Sequence, residues 1–376
     1  MSVLDLVIAA HHSATPLRIS GAGTWLDAGR PVSASSTLST RELTGVIEYI
    51  PGDLVITVRA GTTLAELAQL TAEHDQMLAL DPYTSAPGLD TSTIGAVVAT
   101  ASHGPLAHGF GRVRDLVLGC SFITGDGTAV RAGGRVVKNV AGFDLVRLTT
   151  GAWGTLGVIT EVSLRLHARQ PIDETFAIGI DDSASLDDLI ARLNSAPLLA
   201  HTSSLASLVL LTHDAPAIAR TSHDDIPNAP VVLLARAMGN RIRVDAQRAA
   251  LATLGDVTEV DPTVWRSVRT LDTGNTTVRL TNAPSRVTQT AQSLSSWCAT
   301  NHGANPRLVI EPLRGNVRLS CNLSDNTHAP LPPRAIPELL PATLWPLITS
   351  SIADTISQRL RGMFDPASIL NPQILG

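Results

Sequence analysis

Ser20-Gly-Ala-Gly-Thr24 follows a short strand predicted at Leu17-Arg-Ile19 and is the stretch of this chain that decides the fold. Glycines allow the backbone to approach a phosphate closely, and successive N–H groups that point the same way can bind an anion. The serine and threonine hydroxyls add two further donors. The loop therefore predicts a phosphate-binding turn, although an ordinary strand-to-helix turn has a similar composition.

Two common nucleotide-binding motifs do not fit this loop. A Rossmann fingerprint needs a third glycine where the chain has Leu26, and Pro31 follows where the helix should run. A Walker loop needs a Gly-Lys-Ser/Thr sequence, which does not occur. If the loop binds phosphate, it does so in another kind of fold.

A second group of small residues comprises Thr93-Ile-Gly95, Ala101-Ser-His-Gly-Pro105 and His108-Gly-Phe-Gly111. Backbone amides in such segments can line a flat, polar ligand, and His103 and His108 can donate hydrogen bonds to it. Two tight turns with surface histidines are the alternative interpretation. Metal binding is not predicted, because no carboxylate or third histidine lies nearby at ligand spacing.

The third group is Lys138-Asn-Val-Ala-Gly-Phe-Asp144, followed by Thr150-Gly-Ala-Trp-Gly-Thr-Leu-Gly-Val-Ile-Thr160. Its glycines precede an apolar strand and again indicate a close approach of the backbone to a ligand. Lys138 is the only lysine in the chain. It is either a functional charge or a solvated surface residue, and Asp144 and Arg147 can simply pair with each other.

Composition excludes several functional classes. The 376 residues predict two or three domains, and a net charge of −5 with 3% aromatic residues argues against nucleic acid as a partner. Three cysteines without a CxxC motif argue against a zinc or iron–sulfur site in this chain and favour a reducing compartment. No apolar run approaches the roughly 18 residues that span a bilayer, and the N-terminus predicts a short helix rather than a signal peptide.

The pattern along the chain predicts an α+β protein in several parts. We expect a first domain at 1–171 and a second, at 172–328, in which one sheet carries helices on one face. Six prolines predict an extended linker within 329–346. A segment at 347–376 opens with a helix at about 347–360 and packs back on the first domain.

In this order and at these separations, the motifs resemble flavoproteins of the vanillyl-alcohol oxidase / p-cresol methylhydroxylase type. The resemblance covers about 17–166 and extends to the ending Phe-Asp-Pro-Ala-Ser-Ile-Leu-Asn-Pro at 364–372. Within that type, the segments at 138–144, 264–269 and 278–284 look most like the FAD-binding E subunit of bacterial glycolate oxidase.

The resemblance implies a two-subdomain FAD-binding domain covered by an α+β cap. The pyrophosphate would lie on the first loop, the ribityl chain and ring on the second group, and the adenine half on the strand after the third. It implies contacts from Ser20, Gly21, Ala22, Gly23, Thr24, Trp25, Pro82, Thr93, Ile94, Gly95, Ser102, His103, Gly104, Phe110, Gly111, Val158 and Ile159. His103 would be a polar group beside the ring, and Lys138 would stabilise negative charge on the reduced flavin.

The chain departs from the family pattern in three places. Members with covalent flavin often carry a histidine at the end of the first loop, where this chain has Thr24-Trp25, so non-covalent FAD is expected. The His-Gly-Asp-Gly-Asn segment that binds metal and substrate carboxylate in the D subunit of glycolate oxidase and in D-lactate dehydrogenases does not occur. The N-terminus before the first loop is also short, which predicts a trimmed first subdomain.

The implied function is oxidation of a 2-hydroxy acid such as glycolate by hydride transfer to flavin N5, with electrons passing to catalytic or iron–sulfur partner subunits. The expected location is the cytoplasm, with membrane association only through such a complex. Two alternatives stay open. One is an accessory FAD-binding electron-transfer subunit without a substrate site, and the other is a stand-alone alcohol or sugar oxidase.

Overall fold

The computed structural model describes residues 1–84, 91–134, 143–181, 186–324, 329–349 and 354–375. The first part of the chain contains, in order, α1 (Val3–Ser13), β1 (Leu17–Ser20), β2 (Ser36–Ser39), β3 (Val46–Ile50), β4 (Val55–Arg59), α2 (Leu64–Ala72), β5 (Gln76–Met77), α3 (Ile94–Thr100), α4 (Ala107–Phe110), α5 (Val113–Leu116), β6 (Val117–Ile123), β7 (Ala129–Gly133), α6 (Leu145–Thr149), β8 (Val158–Arg165) and β9 (His167–Ala168).

The second part contains β10 (Ile172–Ile180), α7 (Leu186–Leu193), α8 (Ala196–Thr202), β11 (Ser207–His213), α9 (Ala215–Arg220), β12 (Val231–Gly239), α10 (Arg241–Leu251), β13 (Val257–Val260), α11 (Val264–Arg269), β14 (Thr276–Thr281), α12 (Val287–Thr300), β15 (Ala304–Glu311), β16 (Asn316–Asn322), β17 (Ile336–Leu339) and α13 (Thr355–Phe364). None of the described helices is long and apolar enough to cross a bilayer.

An antiparallel five-stranded sheet, in the order β3-β4-β8-β6-β7, forms the larger layer of the first part. Helices α2 and α3 pack on it through Leu64, Leu67, Ile94 and Val97. The start of α2 is fixed by a capping box, in which Thr63 and Glu66 satisfy each other's backbone N–H groups.

A smaller layer is built from both ends of the chain. Strands β1 and β2 pair in parallel, and Leu17 also forms a parallel bridge with Leu370. Leu370 and Ile369 are fully buried in a core that includes Val7 of α1 and Leu17. The apolar C-terminal tail thus packs on the first domain, because a segment this short cannot bury its own side chains.

The cap, which begins with β10, is an eight-stranded antiparallel sheet in the order β13-β10-β12-β11-β15-β16-β14-β17. The expectation of helices on one face is wrong. Helices α7, α10 and α12 pack on one face, while α9 and α11 cover the other through Ala215, Ala219, Val264 and Val268. The sequence of β11 (Ser207–His213) already indicated helices on both faces. It is almost continuously apolar, as is typical of a strand in a sheet covered on both faces, and its first six residues are all buried.

The proline-rich stretch differs from a free linker. Its residues Ile336–Leu339 pair with β14 as strand β17 at the edge of the cap sheet, a position that tolerates Pro337. The closing helix begins at Thr355, later than the predicted start near 347, because Asp354 caps it with its side chain.

The C-terminal tail offers a direct test of how much its packing stabilises the protein. Leu370 is 0% exposed, so Leu370→Ala should lower the free energy of unfolding by about 2–5 kcal/mol. Leu347, which is 66% exposed, provides the same substitution at the surface, and Leu347→Ala should change the value by less than about 0.5 kcal/mol. Urea denaturation of both variants measures this, and equal losses would contradict the role given to the tail.

Candidate cofactor cleft and adjoining polar pocket

A cleft runs between the small layer and the five-stranded sheet and holds about 640 Å³ of empty space, part of it open to solvent. Four segments line it: the end of β1 with its loop, one face of α3, the turn before β8, and the C-terminal tail. The residues that line it include Arg18, Ser20, Gly21, Gly23, Thr24, Trp25, Gly95, Ala96, Ala99, Thr100, Trp153, Gly154, Gly157, Ile159 and Asn371.

The first loop requires glycine at two positions. A Cβ atom on Gly21 would lie 2.2 Å from Oγ1 of Thr93, so the loop touches the start of α3 without room for a side chain. Gly23 has φ +85°, a conformation that side chains rarely adopt. The loop is tied further to its neighbour by a hydrogen bond from Ser92 Oγ to Thr24 Oγ1 at 3.0 Å. The sequence-predicted loop therefore forms one wall of the cleft.

Helix α3 forms the facing wall, and it is an element that we did not predict from its small and β-branched residues. Thr93 caps it with its side chain, while Ile94, Val97 and Val98 point into the core. Gly95 packs against Ala60, where a Cβ atom would approach within 2.8 Å. The remaining face presents small side chains to the cleft, which leaves space for a ligand.

Asn371 closes the cleft at the C-terminal tail and joins its other walls. Its Oδ1 accepts a hydrogen bond from the N–H of Ile19 at 2.7 Å, and its Nδ2 donates to the carbonyl of Trp153 at 2.8 Å. Sequence reasoning missed this residue. The only signal was the Asn-Pro at the end of the family-like tail, and nothing local shows which backbone groups it meets.

The chemistry of the cleft fits an adenine dinucleotide. Two buried donors in its wall, Nη1 of Arg18 and Nε1 of Trp25, have no hydrogen-bond partner among the residues that the structure describes. The Arg18 guanidinium brings a positive charge to the end of β1, directly before the glycine loop, where a pyrophosphate would lie. The sequence indicated glycine loops without basic residues, so Arg18 is a second residue that sequence reasoning missed.

A second, polar pocket adjoins the cleft, and Trp25, Thr100 and Trp153 line both. The pocket holds about 330 Å³ of empty space, including open solvent, and its far side is the cap sheet. Its other lining residues are Tyr83, Ala101, Ser102, His103, Arg279, Asn316, Arg318 and Glu338. A ligand here would touch both the cofactor cleft and the cap.

His103 stands in this pocket as a neutral imidazole. Burial, helped by the positive charge of Arg279, lowers its pKa to about 3. Its Nδ1 lies 3.3 Å from the carbonyl oxygen of Ala101. Because the ring carries no charge near neutral pH, it can exchange hydrogen bonds with a ligand but does not neutralise an anion.

Two arginines and two carboxylates form a buried network on the cap side of the pocket. Arg318 donates from Nε to both carboxylate oxygens of Asp272, at 2.9 and 2.8 Å, and from Nη2 to Glu338 at 2.6 Å. Arg279 donates from Nε to the other oxygen of Glu338 at 3.1 Å. Burial by itself would raise the pKa of Glu338, but the charges of Arg318 and Arg279 lower it to about 2.

The loop that carries Ser102 and His103 is held by the segment Leu80-Asp-Pro82. Both carboxylate oxygens of Asp81 accept the N–H of Leu106, and a Cβ atom on Gly104 would lie 1.8 Å from the Asp81 carbonyl oxygen. The carbonyl of Pro82 accepts a hydrogen bond from Nε of Arg269 in the cap. This motif therefore joins the two domains beside the polar pocket.

The remaining predicted residues lie as follows. Ile94 and Val158 are fully buried in cores, and Phe110 contacts the ring of His167. Gly111 packs beside Asp115, and Ala22 lies between the two loop glycines. None of these five described residues lines the cleft or the pocket. Lys138 lies outside the described residues, so its role as a charge-stabilising group stays a prediction.

The first part of the chain is similar in sequence to known FAD-binding proteins. Residues 2–133 match the family described as FAD binding domain. The chain is 41% identical over 168 residues to glycolate oxidase subunit GlcE of Escherichia coli, covering 45% of this chain and 47% of that protein. It is 34% identical over 158 residues to a D-lactate dehydrogenase of Archaeoglobus fulgidus, covering 42% and 34%. The matched part thus spans less than half the length of these relatives.

Solved structures extend the likeness to the whole chain. The 4-ethylphenol oxidase from Gulosibacter chungangensis matches 100% of this chain and 88% of its own, with a TM-score of 0.70 and 15% identity. p-Cresol methylhydroxylase matches 97% and 76%, with a TM-score of 0.63 and 13% identity. At these identities the likeness shows the fold alone, and the fold expected from the sequence is confirmed.

The contact between Gly21 and Thr93 predicts the effect of a single methyl group. Gly21→Ala should lower flavin affinity about tenfold, because overpacking of this kind costs about 1–3 kcal/mol. Gly52, around which a Cβ atom would meet nothing within 4 Å, offers Gly52→Ala as the matched control. The ratio of flavin to protein absorbance, titrated against added FAD, measures the effect. An unchanged ratio in Gly21→Ala would show that the loop does not hold the cofactor.

Asp81 predicts a pH dependence of stability. Burial raises its pKa to about 7, above the value of about 3.9 for an unfolded aspartate. Since the folded protein binds this proton more tightly, the stabilisation is complete below about pH 4 and is lost as the pH rises through 7. Asp81→Asn keeps an oxygen acceptor for Leu106 and removes the titration.

We therefore expect the free energy of unfolding of the wild type, relative to Asp81→Asn, to fall between pH 4 and pH 7. Urea denaturation at several pH values measures this difference. Asp53→Asn, the same substitution at an exposed turn, is the control. A difference that rises with pH would contradict the assignment.

Proposed function

We propose that the protein is an FAD-dependent oxidoreductase subunit that oxidises a 2-hydroxy acid. The premise is that residues 2–133 form an FAD binding domain in a chain with the fold of p-cresol methylhydroxylase. The predicted cofactor, FAD, is confirmed by the family match. The observation that carries the proposal is the polar pocket that shares Trp25, Thr100 and Trp153 with the cofactor cleft. When bound, FAD supplies an acceptor for two electrons.

The residues of the cleft would hold FAD without a covalent bond. The loop from Ser20 to Thr24 offers backbone donors to the pyrophosphate, and Arg18 offers a charge. Among the described residues that line the cleft there is no histidine, cysteine or tyrosine to form a covalent link. His103 and Tyr83 lie in the adjoining pocket.

The residues of the pocket would bind and orient the substrate. Its lining is mostly polar, whereas an aromatic alcohol would need an apolar wall. The neutral ring of His103 can hydrogen-bond to the substrate hydroxyl and help to fix its orientation. The relatives named glycolate oxidase subunit and D-lactate dehydrogenase support a small hydroxy acid as the substrate class.

An accessory subunit that binds FAD and relays electrons is the second candidate. The similarity to a protein named as a subunit favours this candidate. So does the composition of the cap, where the described residues contain no group of three or more His, Cys, Asp or Glu that could hold a metal. Both candidate functions include partner subunits that receive the electrons. We propose a location in the cytoplasm from the similarity to the glycolate oxidase subunit.

One preparation of the purified protein tests the function in two steps. Acid precipitation should release all the yellow chromophore into the supernatant, because the FAD is not covalently bound. The holoprotein should then reduce a dye acceptor with glycolate or D-lactate. Flavin without turnover would favour the accessory subunit, and hydrogen peroxide formed from a neutral alcohol would favour a stand-alone oxidase.

A further inference from the structure

The buried charges beside the polar pocket are not equivalent. Arg318 is only 6% exposed, and its side chain donates to both Asp272 and Glu338. Its guanidinium also lies over the ring of Tyr83, with 4.8 Å between Cζ and the ring centroid. A group bound in this way is part of the cap structure, because removing any partner would leave a buried charge uncompensated.

Arg279 differs because much of its guanidinium is unused. Its side chain is 22% exposed, and its Nε donates to Glu338. Neither Nη group donates a hydrogen bond to any of the described residues, although the side chain lines the pocket. Two adjacent N–H groups on a fixed guanidinium match the two oxygens of a carboxylate.

We propose that Arg279 binds the carboxylate of a two- or three-carbon 2-hydroxy acid in the polar pocket, and that Glu338 is its positioning residue. The proposal rests on the function proposed above and assigns the charge that recognises the substrate. It also supplies a carboxylate anchor in a chain that lacks the His-Gly-Asp-Gly-Asn segment. Glu338 comes from the proline-rich stretch, which therefore contributes to the site.

A further donor in the pocket agrees with a hydroxy acid as its ligand. Tyr83 lines the pocket together with both tryptophans. The hydroxyl of Tyr83 is buried without a partner, and burial raises its pKa well above the usual value. This phenol stays protonated and can donate a hydrogen bond to a ligand oxygen.

The ion pairs around the pocket leave donors free on Arg279. Arg318 is paired with both Asp272 and Glu338, whereas Arg279 pairs with Glu338 through Nε. A carboxylate in the pocket would find an ionic partner in the Nη groups of Arg279. A neutral alcohol or sugar would leave the Nη groups of Arg279 without an ionic partner.

Oxalate is the probe for this site. It has the size of a two-carbon hydroxy acid and two carboxylates, and it carries no C–H bond that could be oxidised. Isothermal titration of the FAD-loaded protein should show oxalate binding that Arg279→Met weakens about tenfold or more, as expected for a lost charge-assisted pair. Arg279→Lys keeps the positive charge but cannot form two parallel hydrogen bonds to a carboxylate. Its affinity for oxalate should lie between those of the wild type and Arg279→Met.

Arg241→Met is the matched control. Arg241 lies on the same domain, is 54% exposed, and pairs with Glu174 and Asp245 away from the pocket. Its substitution should leave oxalate affinity unchanged. No oxalate binding by the wild type, or equal affinity in the wild type and Arg279→Met, would overturn the proposal.

Two further readouts keep the result interpretable. Flavin content and circular dichroism identify a variant that has not folded. If Arg279→Met does not fold, the oxalate affinity of Arg279→Lys, which retains the ion pair to Glu338, tests the anion site instead. Turnover is measured separately. Arg279-dependent oxalate binding without turnover would refute the catalytic function and keep the anion site, whereas turnover with an unchanged KM in Arg279→Met would refute the anion site alone.

Discussion

The side-chain amide of Asn371 is the contact on which the cofactor cleft depends. It accepts from the backbone of Ile19 and donates to the backbone of Trp153, and only 4% of the residue is exposed. Both ends of the amide are satisfied, so any other side chain would leave a buried backbone group unpaired. Three walls of the cleft thus meet at one residue near the C-terminus, and the cleft can be complete only when the tail has docked.

The polar pocket depends on a different constraint, the compensation of buried charge. Four charged side chains from separate parts of the cap are paired there, with Asp272 and Arg318 almost fully buried. Such pairs contribute little net stability after desolvation, but they fix the orientation of each group. The anion site proposed above depends on this network, because Glu338 holds the guanidinium of Arg279 beside the cofactor cleft.

Much of the fold followed from local sequence. The short N-terminal helix, the strand at Leu17-Arg-Ile19 and the apolar strand after the third group of glycines are observed as α1, β1 and β8, because their signals lie within a few neighbouring residues. Helix α3 was missed, since its small and β-branched residues have weak helix preference and it is the packing against Ala60 that stabilises it. The second helical layer of the cap and the edge strand at Ile336–Leu339 were missed for the same reason, as both depend on tertiary partners.

The sequence alone determined where the backbone could approach a ligand, because glycine at positions 21 and 23 allows conformations and contacts that no other residue allows. It also indicated the first strand and the strand after the third group of glycines, whose signals are local. Only the tertiary structure decided which side chains face that ligand. Arg279 meets Glu338 across 59 residues and Asn371 meets Ile19 across 352, and contacts between such distant segments exist only once the two domains and the tail have packed together.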